Sequence, residues 1–375
     1  MQRGFDVSEY RARVVAAQTG MARAGVGALL VMTEPEVRYF TGFLTRFWES
    51  PSRPWFLVVP AAGDPVAVIP SIGAALMGQS WISDIRTWSA PDPDDDGVSL
   101  LADTLREIGG PVGVPSGPET VLRMPLTDFE RVKAQSGLTF CSDHGIMADL
   151  RAMKSETEIA KIRHACGIAG RAFDRVGDIA QPGVPLSRVF RNFQRLLLEE
   201  GADWVPYLAG GAGPYGYADV ISPATDAPLQ SGDVLMLDTG AVWDGYFCDY
   251  DRNFAIGSVD PVCDAAHRRV LEATQAGLEA ARAGALACDV FAAMAGMVEG
   301  GETAGRLGHG LGMQLTEGLS LTAKDRTVLC PGMVITLEPG IEVRPGQWIV
   351  HEENIVIREK GAEKLSPWTT DLVRI

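Results

Sequence analysis

The pattern of apolar and polar positions changes character near residue 150. Before it, short apolar runs alternate with stretches of helical spacing. Val7–Ala24 repeats apolar residues at helical intervals, with Arg and Glu on one face, and Gly25-Val26-Gly27 ends it. Ala28–Met32 reads as a buried strand, and Pro54–Val59 and Pro65–Ile69 as two more, joined by the turn Ala61–Asp64. Leu100–Ile108 is predicted helical and Val112–Val114 a short strand. Strands alternating with helices predict a small α/β domain over residues 1–148. The acidic run Pro91–Gly97 between them reads as a solvated loop.

Residues 149–375 read as α+β. Ser155 and Glu158 have capping-box spacing ahead of a helix that runs to about Val176. Further helices are predicted at Pro185–Glu200, His267–Ala283 and Cys288–Glu299, and strands at Gly332–Leu337, Gly340–Val343 and Gln347–Ile357. Between the helices lies Val234–Arg252, VLMLDTGAVWDGYFCDYDR, whose Asp244-Gly245 is a strong hairpin signal. A two-residue turn there pairs Trp243 with Tyr246 and, further out, Gly240 with Asp249 and Asp238 with Asp251. Alternation then puts Asp238, Gly240, Asp249 and Asp251 on one face, and Cys248 on the other. Like charges so close destabilise a strand pair unless a cation neutralises them. Gly240 would leave room beside Asp249. A solvated face with scattered acids is the competing reading.

A second acid pair echoes the first. Glu338 ends the apolar strand Met333–Leu337, and Glu352 lies on the strand returning from Arg344-Pro345-Gly346. A three-residue loop or a bulge sets the two opposite each other; a two-residue loop sets them on opposite faces. Glu353 would point away, as would His351. His309, in Gly308-His-Gly-Leu-Gly312, is the histidine that glycines leave accessible. His144, His164 and His267 fit a helix surface or linker. Four carboxylates and one imidazole suit hard-to-borderline divalent ions such as Mn²⁺.

The chain is 375 residues long, enough for two domains, and 46% apolar. A net charge of −15 argues against nucleic-acid and anionic-membrane partners. The N-terminus lacks the apolar core of a signal peptide, and no apolar run reaches the roughly 18 residues of a membrane span. Six cysteines without CxxC spacing read as reduced thiols, which implies the cytoplasm.

The chain resembles the metallopeptidase family that includes Xaa-Pro dipeptidase (prolidase), aminopeptidase P, methionine aminopeptidase and creatinase, with its pita-bread fold. The matching pieces are Lys154-Ser-x-x-Glu158, Asp238-x-Gly240, Gly245-Tyr246 with Asp249 and Arg252, Gly308-His-Gly-x-Gly312, Glu338-Pro-Gly340, and Glu352 before Asn-Ile-Val-Ile. The resemblance implies a catalytic domain of curved antiparallel sheet covered by helices, and an N-terminal domain of the creatinase type. It implies five metal ligands, Asp238, Asp249, His309, Glu338 and Glu352, with Asp249 and Glu352 bridging two divalent ions. Mn²⁺ is the first choice, with Co²⁺, Zn²⁺ or Fe²⁺ as alternatives. Glu338 and His309 are the implied catalytic residues. Creatinase lacks the full ligand set, so its completeness here favours a metal enzyme.

The chain also departs from the family pattern. The peptidases place a second His seven residues after the first; here that position is Thr316, before Glu317. They carry a His in the loop before the first acid strand, whereas Tyr215–Asp226 has none, and Val350 stands where they have an Arg. Asp251 replaces a usual Thr and is a candidate extra ligand or support, as is Thr316. The expected function is a two-metal hydrolase of an amide or peptide bond in a short peptide or other small substrate. Alternatives are a metal-dependent lyase of the dimethylsulfoniopropionate type, a hydrolase of a small non-peptide amide, and a non-enzymatic binding module. Tyr215, Tyr217 and Trp48 are candidate substrate contacts, set against ordinary packing. A homodimer is implied by resemblance, with Phe47–Trp55 as the segment of one subunit covering the partner's site.

Overall fold

The apolar runs of the N-terminal region become the strands of one sheet. The computed structural model describes residues 2–49 and 53–375. Its first sheet contains β1 (Ala28–Val31), β2 (Phe56–Pro60), β3 (Val66–Pro70), β4 (Asp84–Trp88), β5 (Val112–Val114) and β6 (Phe140–Ser142). Their order is β4-β3-β2-β1-β5-β6. β2 is antiparallel to both its neighbours and the other pairs are parallel. Every residue of β1, β2 and β3 is buried, which is why these strands read as unbroken apolar runs. Leu30, Val58, Val68, Leu101, Leu105 and Val132 pack in the core, each contributing roughly 1.5–3 kcal/mol by leaving water. The helix Val7–Ala24 stops at Gly25, which takes the left-handed conformation that a C-cap glycine adopts without strain. These elements belong to a compact unit, Met1–Arg151; a second unit spans Ala152–Ile375.

Ser155 starts the second unit's first helix, Glu156–Phe173. Its hydroxyl accepts from Glu158 N–H while the Glu158 carboxylate accepts from Ser155 N–H. Helices Leu186–Glu199, Pro261–Ala280 and Ala287–Ala295 follow. The third begins six residues earlier than the periodicity suggests, because Asp260 caps it through Val262 N–H and Pro261 occupies its first turn. His267 consequently lies inside this helix and is buried, not on a surface.

The strands of the second unit are β7 (Trp204–Pro214), β8 (Asp233–Trp243), β9 (Tyr246–Phe247), β10 (Tyr250–Ala255), β11 (Val334–Leu337), β12 (Gly340–Arg344), β13 (Gln347–Val350), β14 (Glu353–Arg358), β15 (Gly361–Lys364) and β16 (Val373–Arg374). One sheet runs β16-β10-β8-β7, with β9 continuing the β8 hairpin; β11-β14-β15 and β12-β13 form two more. β7 escapes the sequence reading because Gly210, Gly211 and Gly213 interrupt it. Gly210 is required there: with φ 146°, an added Cβ would lie 2.2 Å from the Met236 carbonyl oxygen. Among the described residues no helix is long and apolar enough to cross a membrane.

Candidate metal centre

The Asp244-Gly245 turn sets the first pair of acids. Both residues have positive φ, 49° and 78°, the geometry whose twist matches a two-residue hairpin. Trp243 pairs with Tyr246 and Asp238 with Asp251, so the predicted register holds across the hairpin. Cys248 is buried on the opposite side, its N–H on the Ala241 carbonyl. The space beside Gly240 is not vacant as expected: a Cβ there would meet the Leu315 δ-methyl at 2.3 Å.

The second pair depends on a bulge. Pro345-Gly346 is a two-residue turn, with Arg344 paired to Gln347, but the register shifts between Glu342 and Arg344. That extra residue reverses the parity, and Ile341 then pairs with Ile349 and Gly340 with Val350. On the far side Leu337 pairs with Glu353 in the same register. Glu338 and Glu352 therefore sit opposite each other in the gap between two ladders, where His351 N–H bonds the Pro339 carbonyl at 3.1 Å.

His309 reaches the acids from a loop fastened to β11. Thr336 N–H donates to the His309 carbonyl at 2.7 Å and Glu338 N–H to the Leu307 carbonyl at 3.1 Å. Gly308 permits this approach: with φ 141°, a Cβ would lie 2.2 Å from the Thr336 oxygen. The imidazole is held by Nδ1, which donates to the Gly310 carbonyl at 3.0 Å in the tautomer that satisfies that oxygen. Nε2 faces three carboxylates: Asp249 at 3.3 Å, Glu338 at 3.6 Å and Glu352 at 3.9 Å.

Burial makes this arrangement costly without a cation. Asp249, His309 and Glu352 are all buried and offer ligand atoms within 4.8 Å of one another. Asp238 Oδ1, Asp249 Oδ1 and Glu352 Oε1 are buried without a hydrogen-bond partner. Burial, and then the charges of Asp249 and Asp251, push the Asp238 carboxyl well above its ordinary range. Burial, Asp249 and Glu338 do the same to Glu352. Burial raises Asp249 to about 6 even though His309 pulls it down. Burial, the largest influence, would lower His309, but its hydrogen bond to Asp249 and the charges of Asp249 and Glu338 together hold it above its usual value. Unpartnered carboxylate oxygens and one imidazole nitrogen converging on one place fit hard-to-borderline divalent ions.

One support escaped the sequence reading. Tyr207, on β7, donates its hydroxyl to Asp238 Oδ2 at 3.0 Å; burial keeps this phenol protonated. Behind the acids lies a buried polar layer. Asp251, 1% exposed, accepts from Glu352 N–H at 2.9 Å, and its other oxygen is unpartnered. It is therefore no solvated surface acid. His351 stands between Asp251 Oδ1 (3.6 Å) and Glu353 Oε1 (3.2 Å). Arg252 pairs with Glu353 at 3.0 Å and also donates to the Pro367 carbonyl. Arg252→Met would leave the Glu353 charge buried. The expected cost is about 3 kcal/mol, read from urea denaturation of metal-free protein; an unchanged midpoint would show that the pair carries no stability.

The remaining candidates are dispersed. Thr316 is half-buried, and its neighbour Glu317 is committed to Lys154 at 2.8 Å. Tyr215 lies under the Arg344 guanidinium, 5.1 Å from its ring centre. The Tyr217 hydroxyl accepts from Val350 N–H and donates to Asn253, which fixes the β12–β13 hairpin and leaves it no proton for a substrate. Trp48 belongs to the first unit, packed against Phe43 and Trp55. Of the proposed covering segment, Ser50, Pro51 and Ser52 lie outside the described residues.

A carboxylate-rich centre on paired antiparallel hairpins suits divalent ions that activate a water. The model of metallopeptidase family M24 matches residues 160–359 and that of the creatinase/prolidase N-terminal domain matches residues 13–153. This chain belongs to metallopeptidase family M24. It is 30% identical over 382 residues to the probable dipeptidase PepE of Mycobacterium tuberculosis, covering 99% of this chain and 98% of that one. An Xaa-Pro dipeptidase of Pyrococcus horikoshii is 28% identical over 255 residues, 67% of this chain and 73% of the relative. The crystal structure of dipeptidase PepE from Mycobacterium ulcerans superposes with a TM-score of 0.84 at 26% identity, over 99% of each chain. A prolidase from Thermococcus sibiricus shares the fold, with a TM-score of 0.87 at 22% identity over 99% of this chain and all of that one. The fold is the pita-bread catalytic domain preceded by a creatinase-type N-terminal domain.

Proposed function

We propose that this peptidase acts on dipeptides, Xaa-Pro among them, with two divalent ions, Mn²⁺ first, held by Asp238, Asp249, His309, Glu338 and Glu352. The observation that carries the reading is the pair of buried, unpartnered oxygens on Asp249 and Glu352 beside His309 Nε2, with a third such oxygen on Asp238, whose charge bears on Asp249. Ions bound there supply positive charge that polarises a carbonyl and acidifies a water. The protein's own groups do the rest. Tyr207 holds one Asp238 oxygen so that the other points inward. Gly310 fixes the His309 ring and Asp251 fixes the Glu352 backbone, the second-sphere contacts that orient ligands. Glu338, the most exposed carboxylate of the set though still mostly buried, is placed to take the proton of an attacking water and hand it to the leaving nitrogen. Free thiols at all six cysteines suit a reducing compartment such as the cytoplasm.

The test is a substrate panel. Mn²⁺-loaded protein is incubated with Xaa-Pro dipeptides, other dipeptides, small non-peptide amides and a sulfonium zwitterion, and products are identified by mass spectrometry. Amino-acid release from dipeptides, abolished by chelator and restored by Mn²⁺, is the expected result. Release from no peptide, or turnover of the sulfonium compound alone, would overturn the reading.

A further inference from the structure

We propose that Arg306 receives the carboxylate of the substrate, and that it makes the enzyme select short peptides whose free C-terminus adjoins the scissile bond. The inference rests on the peptidase reading above. Arg306 Nε lies 3.7 Å from Glu338 Oε1, too far for a hydrogen bond, and the two side chains are 40% and 22% exposed. The side chains of Asp249, Glu352 and Asp251 are 6% exposed or less. The centre therefore opens toward solvent beside Glu338, which is where Arg306 stands. Among the described residues no other Lys or Arg comes within 4.0 Å of Asp238, Asp249, Glu338 or Glu352, and the Arg306 guanidinium makes no hydrogen bond. The cation nearest in sequence to the acids, Arg252, is buried against Glu353 and Pro367.

Backbone bonds fix where Arg306 starts. Its neighbour Leu307 is buried, donates to the Leu321 carbonyl at 2.9 Å and accepts from Glu338 N–H. The guanidinium thus springs from a residue beside one tied directly to the acid at the opening. Charge then decides what it meets. Two divalent ions would balance the four carboxylates Asp238, Asp249, Glu338 and Glu352, and Asp251 lies on the buried side against the Glu352 backbone, so the charge facing an incoming substrate at the opening would be that of Arg306. A planar fork of five donors matches a carboxylate in two-pronged fashion. In a dipeptide that carboxylate is one carbon from the scissile nitrogen; in a longer chain or a C-terminal amide it is missing. Thr316 and Val350 offer no charge that would compete for it.

The test compares wild type, Arg306→Gln and Arg306→Lys, all Mn²⁺-loaded, on the dipeptide that wild type cleaves best and on its C-terminal amide. Wild type should prefer the free acid. Arg306→Gln should lower the acid-to-amide ratio of kcat/KM by roughly 10–100-fold, mostly through KM, and Arg306→Lys should recover part of it. Calorimetry supplies a readout apart from turnover: proline should bind wild type at least ~10-fold more tightly than Arg306→Gln, prolinamide equally to both, with Mn²⁺ stoichiometry the same. An unchanged ratio, or proline binding that ignores the substitution, overturns the assignment to Arg306 while leaving the peptidase reading in place. Loss of Mn²⁺ from Arg306→Gln also overturns it, because Arg306 would then serve Glu338. If wild type cleaves no peptide, the peptidase reading fails on its own, and the proline arm still decides Arg306.

Discussion

Asp249→Asn should lose hydrolytic activity by about 10³ in kcat/KM and yet be more stable than wild type when both are stripped of metal. The two effects have one origin. Asp249 lies between His309, at 3.3 Å, and the carboxylates of Asp238, Glu338 and Glu352, and one of its oxygens is buried without a partner. If Asp249 holds the ions as proposed, removing its charge forfeits several kcal/mol of charge stabilisation, and each 1.36 kcal/mol is about a factor of ten in rate. Without ions, the same carboxylate is a buried charge that His309 offsets only in part, pushed to about pKa 6 by burial. Asparagine keeps the shape and discards the charge, so the metal-free fold is relieved. The measurements are dipeptide turnover, Mn²⁺ content by mass spectrometry, and the urea midpoint of the stripped proteins at pH 8. A variant that keeps wild-type turnover would remove Asp249 from the ligand set. A stripped variant less stable than wild type would mean that His309 already satisfies the charge.

What the sequence disclosed about this centre follows how locally each feature is determined. Asp244-Gly245 sets turn type, register and face together within a few residues, so Asp238 and Asp251 could be paired from sequence alone. The helix at Ser155 is equally local, because capping needs only Ser155 and Glu158. The facing of Glu338 and Glu352 was not decidable, since it turns on one bulged residue between Glu342 and Arg344 that has no sequence mark. Tyr207 was missed along with β7, whose glycines clear neighbouring backbone carbonyls, Gly210 that of Met236, rather than making a loop. The burial of Asp251 could not be read at all. It comes from segments more than a hundred residues away: Glu352 supplies the N–H it accepts, and β16 and Pro367 cover its strand. A similarly long separation along the chain hid His267, whose ring centre lies 6.0 Å from that of His351.

Metal should stabilise this protein more strongly the higher the pH. In the metal-free chain Asp238, Asp249, Asp251 and Glu352 all have carboxyls raised above their unfolded values, by burial first. A raised carboxyl binds its proton more tightly in the fold than in the unfolded chain, so stability rises with pH only where the unfolded state holds more protons. Here the fold holds more. For Asp249 the contribution present below the unfolded value of 3.8 is lost as pH climbs toward about 6, and the raised carboxyls of the other three act in the same direction. His267 acts in the opposite sense: burial lowers it from 6.5 to about 3, so acid destabilises the fold across that interval. Comparing loaded with stripped protein at each pH cancels His267, which is the same in both. Ions at a hundredfold excess over Kd contribute about 2.7 kcal/mol each, about 5 for two. That corresponds to roughly 10–20 °C in Tm for a domain of this size. Protons compete for the same oxygens, so the gain from Mn²⁺ should be near that full value at pH 8 and shrink to a few degrees at pH 5. Thermal melts with Mn²⁺ and with chelator, at constant ionic strength, measure it. A gain that is flat between pH 5 and 8, or largest at pH 5, would mean that these carboxyls are not where the ions bind.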